Sequence, residues 1–513
     1  MSDPTPFSLE DWAARRPDAP AIIEDDQVLT FAAWNQAADA VAEGLARRGV
    51  GPGDIIVTRL QIRKEWPIAA AAAAKLGCSI LGLNWRLTPP ETHYVLANSK
   101  ATVVICDDPD PAALTPAFEG LPIKLAVSLD SQAEGFIAFA DLFETPSAPR
   151  FSKGEAPLII YTSGTTGLPK GVPMSGSRGA SAEVLEYMRA VAESRPQVPG
   201  DVVLVTMPMH HGAGPGLVRQ SLHSGNTMIF LRRFDPVVAL DLIDRHRVSF
   251  WTAVPTMYKR IAGLPEETFR RHDVSSIRAL GVGAAPVPPD LKIWIAAHFG
   301  DCLCESYGAT EVGMISALSA GMQKLKPGSS GLPHKHVHIR IRDDDRHDLP
   351  AGATGEIWIK TPVTIGRYLN ADRLGDDTVD AEGFFRIGDV GHLDEDGYLF
   401  ITDRAKDMII AGGVNIYPAE IEAALLKHPA VQDAAVIGIP DEDFGEQVKA
   451  FIELKPGQTA EPAQILAATA DHLASYKRPK TLQIMAELPR NTMGKLLKRE
   501  LREPYWIGRE RKV

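Results

Sequence analysis

The sequence predicts an α/β protein: a large amino-terminal α/β domain with mostly parallel sheets plus a small β-rich subdomain, then a small carboxyl-terminal α+β domain. Three observations carry this. Short apolar runs (Ile55–Val57, Ile80–Leu83, Val103–Ile105, Leu158–Ile160, Val202–Val205, Phe250–Val254, Leu280–Val282) alternate with amphipathic stretches, the pattern of βαβ units. From about Lys335 the pattern changes to closely spaced strands and turns, as in VHIRIRDDD, GEIWIKT and DGYLFIT. Near Asp403 a self-contained unit begins, with a strand, a helix, two apolar runs and a second helix.

Taken in order, Trp34, Ala38, Val41 and Leu45 recur at helical spacing, and Gly49 follows as a stop. The alanine-rich stretch from Pro67 to Leu83 is broken by Lys75 and Gly77. It is too short and too interrupted for a membrane span, which needs about 20 apolar residues, and reads as a core helix leading into a strand. In the last unit, Met408–Ile410 is a strand, Gly412-Gly413 a turn, and Pro418 opens a helix with Ile421, Ala424 and Leu425 on one face. Ala434–Ile439 and Val448–Leu454 are two further strands, and a second helix is predicted around Gln464–Leu473.

Composition narrows the function classes. A chain of 513 residues suggests roughly three to four domain-sized units. With 45% hydrophobic and 23% charged residues it has the balance of a soluble protein with a substantial core. A net charge of −11 argues against general nucleic-acid or anionic-membrane binding, so a polyanionic ligand needs locally placed cations and backbone N–H groups. Cys78, Cys106, Cys302 and Cys304 are too scattered for a disulfide framework and are expected to be inert buried thiols. The amino terminus lacks a basic start followed by an apolar run, and GRERKV matches no peroxisomal address, so a cytoplasmic location is expected.

The strongest local signal is YTSGTTGLPKG, from Tyr161 to Gly171, directly after the strand LII. It offers four hydroxyls (Thr162, Ser163, Thr165, Thr166), three glycines (Gly164, Gly167, Gly171) and the cation Lys170. Glycines let the backbone turn successive N–H groups toward an anion, while hydroxyls and the ammonium add donors and charge. The order Pro169-Lys170-Gly171 is not that of a Walker A loop.

This segment resembles the phosphate-binding signature of the adenylate-forming superfamily, which includes acyl-CoA synthetases, firefly luciferase and peptide-synthetase adenylation domains. Other segments resemble that family's motifs in the same order: NWRLTPPE (Asn84–Glu91), GVGAAPVP (Gly281–Pro288), SYGATE (Ser306–Glu311), GEIWIK (Gly355–Lys360), Gly388-Asp389, DRAKDMIIAGGVNIYPAEIE (Asp403–Glu422) and RNTMGK (Arg490–Lys495). The resemblance covers nearly the whole chain. It implies residues 1–405 as an adenylation domain and residues 406–513 as a mobile lid, with the active site between them.

The resemblance also implies roles. Gly283, Ala284, Ala285 and Pro286 would line the adenine pocket, and Ser306, Tyr307 and Gly308 would place the Tyr307 ring on adenine. Thr310 would donate to the α-phosphate. Glu311 would hold Mg²⁺, a hard cation that favours carboxylate and phosphate oxygens. Asp389 would accept from the ribose hydroxyls, with Arg404 assisting. Lys495 would offset the repulsion between the attacking carboxylate and the α-phosphate. Eleven Lys or Arg against four Glu lie from Lys477 to Val513, a bias that suits the phosphates of coenzyme A. His211 would gate the acyl and thiol route, Gly412 and Gly413 would border the pantetheine path, and Lys406 would be the hinge.

Two departures are expected to tune nucleotide affinity: the phosphate loop continues as VPMSGS where relatives carry Thr-His or Ser-His, and Ile387 stands in RIGD where Thr is usual. The expected activity is ATP-dependent acid–CoA ligation, with ATP, Mg²⁺ and coenzyme A and a carboxylic acid as the partners. The small residues Gly212, Ala213, Gly214 and Gly216 beside His211 suggest a roomy apolar pocket for a medium-chain, alicyclic or aryl acid. Arg219 is a weak candidate for a pocket cation that a dicarboxylate would need. The competing expectations are a stand-alone enzyme that loads a carrier protein and a non-catalytic nucleotide-binding regulator.

Overall fold

The computed structural model describes residues 8–152, 154–162, 169–174, 180–194, 197–283, 285, 287–404, 407–411, 414–441, 444–469, 473, 475–491 and 494–507. Each apolar run becomes a strand, and most join neighbours in parallel. Ile55–Arg59 lies between Val103–Cys106 and Ser79–Gly82, and Leu158–Thr162 continues that sheet. Leu125–Ser128 and Ile137–Ala138 extend it beyond Val103–Cys106, and Lys170–Met174 closes the other edge as an antiparallel hairpin with Leu158–Thr162.

A second sheet has a parallel centre of Pro20–Glu24, Thr227–Phe230, Val202–Val205, Phe250–Ala253, Ala279–Val282 and Leu303–Ala309. Antiparallel strands finish both of its edges. Helices Phe31–Arg47 and Glu65–Leu76 share one apolar cluster with inward residues of both sheets, among them Trp34, Trp66, Ile56, Ile80, Ile22 and Val203. The far face of the second sheet is covered by Pro236–His246, Pro255–Ala262 and Pro289–Phe299 around the fully buried Trp251 and Tyr258. Apolar runs flanked by amphipathic helices can hide both faces of a strand only in this layered way. The alanines of Glu65–Leu76 occupy this core, and no described helix is long and apolar enough to cross a membrane.

From His338 the chain forms an antiparallel sheet of His338–Arg342, Gly355–Lys360, Phe385–Leu393 and Leu399–Arg404. A small carboxyl-terminal sheet follows, built on the long antiparallel pair Val431–Asp441 and Gly445–Leu454 with Thr481–Met485 parallel to the latter. Helix Pro418–Leu425 covers it through Ile421, Ala424 and Leu425. The expected second helix is shifted. It runs Pro462–Ala468, because Pro462 opens it and the Gln464 side chain accepts from the Glu461 N–H at 3.2 Å, so the cap sits before the apolar positions. The first strand of this unit is Ile409–Ala411, one residue later than expected.

The cysteines are free thiols: Cys78, Cys106 and Cys302 are buried, and Cys304 is half-buried. Burial pushes the Cys78 and Cys302 thiols up to about 11 and the Cys106 thiol up to about 12, which keeps them protonated and unreactive at neutral pH.

Candidate active site

Val202–Val205, Phe250–Ala253 and Ala279–Val282 are parallel neighbours and therefore end at one edge of their sheet. The segments leaving that edge carry His211, Thr256 and Gly283. In open parallel sheets this carboxyl edge is where ligands bind, since loops and helix starts converge there.

Thr162 and Lys170 face each other across the hairpin at the mouth of the phosphate-loop segment. The Thr162 hydroxyl donates to Glu311 Oε1 at 3.1 Å. Glu311 sits in the turn between Leu303–Ala309 and Gly313–Leu318, and its carbonyl accepts from Ile365 N at 3.0 Å. Tyr368 completes the group: it lies near enough to Glu311 for the carboxylate charge to bear on its hydroxyl, and the Lys170 ammonium lies 4.9 Å from its ring centroid. Burial, then the Glu311 charge, raises the Tyr368 hydroxyl well above its ordinary range, so it stays a donor. Backbone contacts lock the arrangement, with Leu369 N donating to Gly171 O at 2.7 Å. A Cβ at Gly171 would stand 3.0 Å from the Tyr161 ring.

A carboxylate flanked by hydroxyls and an ammonium is a donor set suited to a phosphate chain with its divalent cation. Among the described residues no group of three or more His, Cys, Asp or Glu is gathered to hold a metal unaided. That fits Mg²⁺, which commonly takes one or two carboxylates and completes its shell with substrate phosphates and water.

The same hairpin presents Tyr307, whose hydroxyl donates to Asp389 Oδ2 at 2.5 Å. Asp389 is buried in Phe385–Leu393 and pairs in register with Arg404 on Leu399–Arg404. Gly388 supports this bend with a φ of 77°. Ile387, the departure noted above, packs with the apolar cluster of this subdomain. Gly283 comes close to Ser306: a Cβ there would meet the Ser306 carbonyl at 3.0 Å and its hydroxyl at 3.1 Å. The register Gly308–Met314 is set by a bulge after Tyr307, and the buried Tyr187 hydroxyl caps it, accepting from Met314 N at 2.7 Å and donating to Met314 O at 2.9 Å.

His211 and His210 lie with ring centroids 4.5 Å apart between Val202–Val205 and helix Ala213–Ser224. Burial pushes the His211 imidazole down to about 4 and His210 well below the usual range, so both rings are neutral at physiological pH. Gly82 is required here, because a Cβ would fall 2.3 Å from Met209 O and 2.7 Å from His210 Cα. Gly214 has a packing reason to be small: its bare Cα lets the helix start against Pro208, where a Cβ would meet the carbonyl at 2.3 Å. Arg219 is no pocket cation, since it pairs with Glu155 at 3.4 Å and donates to Ala156 O.

Lys495 lies on a tight turn in which Lys495 N donates to Asn491 Oδ1 and Asn491 N to Lys495 O, both at 2.9 Å. Gly494, with φ of 70°, presses on Thr256, where a Cβ would stand 2.3 Å from Oγ1. The turn therefore sits at the same sheet edge as Gly283 and His211. Ser163, Gly164, Thr165, Thr166, Gly167, Ala284, Pro286, Lys406, Gly412 and Gly413 lie outside the described residues, as does the Arg404 side chain. Sequence reasoning missed Tyr368 and Tyr187. Both were ordinary tyrosines in the sequence, and their partners lie far away along the chain.

Residues 9–369 match the family model described as AMP-binding enzyme, and residues 420–495 match the model described as AMP-binding enzyme C-terminal domain. A fatty acid–acyl-carrier-protein ligase, ScoC, of Streptomyces coeruleorubidus is 32% identical over 98% of this chain and 96% of its own. An indoleacetate–CoA ligase of Aromatoleum aromaticum is 32% identical over 97% of this chain and 98% of its own. Among solved structures, ATP-bound MatB from Rhodopseudomonas palustris superimposes with a TM-score of 0.84 at 30% identity, covering 97% of this chain and 99% of that one. With these matches spanning both parts of the chain, it belongs to the AMP-binding enzymes of the adenylate-forming superfamily.

Proposed function

We propose that this protein is an AMP-forming acid–CoA ligase, with residues 1–405 as the adenylation domain and 406–513 as a lid that delivers Lys495. In the first half-reaction a carboxylate oxygen attacks the α-phosphorus of ATP and pyrophosphate leaves; in the second the thiol of coenzyme A attacks the acyl carbon and AMP leaves. The observation that carries this reading is the convergence of Thr162, Lys170 and Tyr368 around Glu311, beside the Tyr307–Asp389 bond.

Each residue has a task there. Lys170, Thr162 and the glycine-rich segment hold the β- and γ-phosphates. Tyr307 offers its face to adenine while its hydroxyl bond to Asp389 brings ring and ribose acceptor within one nucleoside's reach. Thr310 donates to the α-phosphate. Glu311 would hold a magnesium ion, which supplies positive charge to the phosphate oxygens. The Lys495 ammonium neutralises charge that builds up as the carboxylate approaches phosphorus, worth most where water is excluded.

The acid is an apolar one of medium-chain, alicyclic or aryl type. Met207, Val254 and Met257 form an apolar cluster at the sheet edge next to two neutral imidazoles, and Arg219 is engaged elsewhere. A second reading, transfer to a carrier-protein thiol, is favoured by the likeness to ScoC. Acid-dependent pyrophosphate release across a panel of fatty, alicyclic, aryl and dicarboxylic acids tests the first step. AMP release with coenzyme A against a phosphopantetheinylated carrier protein separates the acceptors. A panel giving no pyrophosphate with any acid would overturn the ligase reading.

A further inference from the structure

The turn bearing Lys495 is held against the large domain by more than Gly494. Helix Pro255–Ala262 presents Thr256 and, one turn later, Lys259 on the same side. Thr256 receives Gly494. The Lys259 ammonium pairs with Asp433 Oδ2 at 3.4 Å and donates to Gln432 O at 3.4 Å, both on the long carboxyl-terminal strand Val431–Asp441. Asp433 Oδ2 also accepts from Arg490 NH2, and Arg490 NH1 donates to Gly494 O at 3.0 Å. A continuous series of contacts thus runs from Lys259 through Asp433 and Arg490 to the residue preceding Lys495. Side-chain exposure of the Lys259–Asp433 pair is 18% and 13%, so solvent screens it less than an ordinary surface ion pair.

We propose that Lys259 is a positioning residue for the first half-reaction: its ion pair with Asp433 favours the docked arrangement in which Arg490 and Gly494 set Lys495 at the sheet edge. This rests on the reading of Lys495 as the adenylation lysine. Lys259 acts on the population of the docked arrangement, and a rate that depends on that arrangement falls in proportion to the population. The second half-reaction, which does not use Lys495, is not slowed when that population falls.

The test measures pyrophosphate release and, separately, thioester formation from supplied acyl-adenylate, in Lys259→Glu, Lys259→Arg and Lys495→Ala enzymes. Lys259→Glu replaces attraction by repulsion at Asp433 and is expected to slow pyrophosphate release roughly tenfold without slowing thioester formation. Lys259→Arg is expected to restore the first step. In an Asp433→Asn background, where there is no charge to repel, adding Lys259→Glu is expected to change the rate by less than about twofold. Wild-type pyrophosphate release in Lys259→Glu, equal losses in both steps, or an undiminished loss in the Asp433→Asn background would each overturn the positioning role. A Lys495→Ala enzyme with normal pyrophosphate release would overturn the assignment of Lys495, and the role of Lys259 with it.

Discussion

Replacing Tyr187 by Phe removes one oxygen from beneath the Tyr307–Glu311 hairpin. The side chain is 4% exposed, and its hydroxyl serves both polar groups of Met314, at 2.7 and 2.9 Å. In the ladder Met314 stands opposite Gly308, just past the bulge after Tyr307. Leaving a buried N–H and C=O without their partner costs about 1–3 kcal/mol for the first and less for the carbonyl, which keeps a second lone pair, so about 2–3 kcal/mol in all. For a domain of about 400 residues the unfolding entropy is near 0.8 kcal/mol/K, and the expected fall in Tm is about 3 °C. The looser hairpin also holds Tyr307, Thr310 and Glu311 less firmly, so the KM for ATP in pyrophosphate exchange is expected to rise roughly three- to tenfold with a shallower dependence on magnesium. Thermal melts and exchange kinetics over ATP and magnesium concentrations read both effects. A Tyr187→Phe enzyme with wild-type Tm would refute the hydrogen-bond argument, and a lowered Tm with unchanged ATP KM would refute the link to the nucleotide.

Two further outcomes are expected. Lys495→Ala should lower pyrophosphate release on the order of a hundred- to ten-thousand-fold while sparing transfer from supplied acyl-adenylate, and comparable rates in both assays would count against its role. His211 makes stability depend on pH with a definite sign. Below pH 6.5 the unfolded imidazole takes up a proton that the buried ring refuses until about pH 4, so stability falls as pH drops through that window and levels off below it. The full difference is on the order of 3 kcal/mol, and His211→Phe should flatten this part of the Tm–pH curve; parallel curves for the two proteins would show that the ring is not held neutral.

Much of the fold was legible because strands buried on both faces must be apolar throughout, as LII at Leu158–Ile160 and VVLV at Val202–Val205 are. The carboxyl-terminal hairpin was underestimated, since Val431–Asp441 and Gly445–Leu454 extend their ladder into Asp433, Asp441 and Glu446, residues that carry no apolar signal. The packing reason for Gly214 was not legible either: its missing side chain lets the backbone approach Pro208.

By itself the sequence determined the order of elements and the family, because strand burial, glycine turns and ordered motifs leave local signatures. It could not say which residues meet. Thr162 and Glu311 are 149 positions apart, Tyr307 and Asp389 82 apart, and Lys259 and Gln432 173 apart. Tyr368, Tyr187 and Lys259 acquire their roles only through such contacts. A hydroxyl or ammonium in a loop or helix has the same local signature whether it faces water or Glu311, Met314 and Asp433. Which of these it meets is settled when parallel strands bring their carboxyl ends to one edge and the small domain packs onto helix Pro255–Ala262.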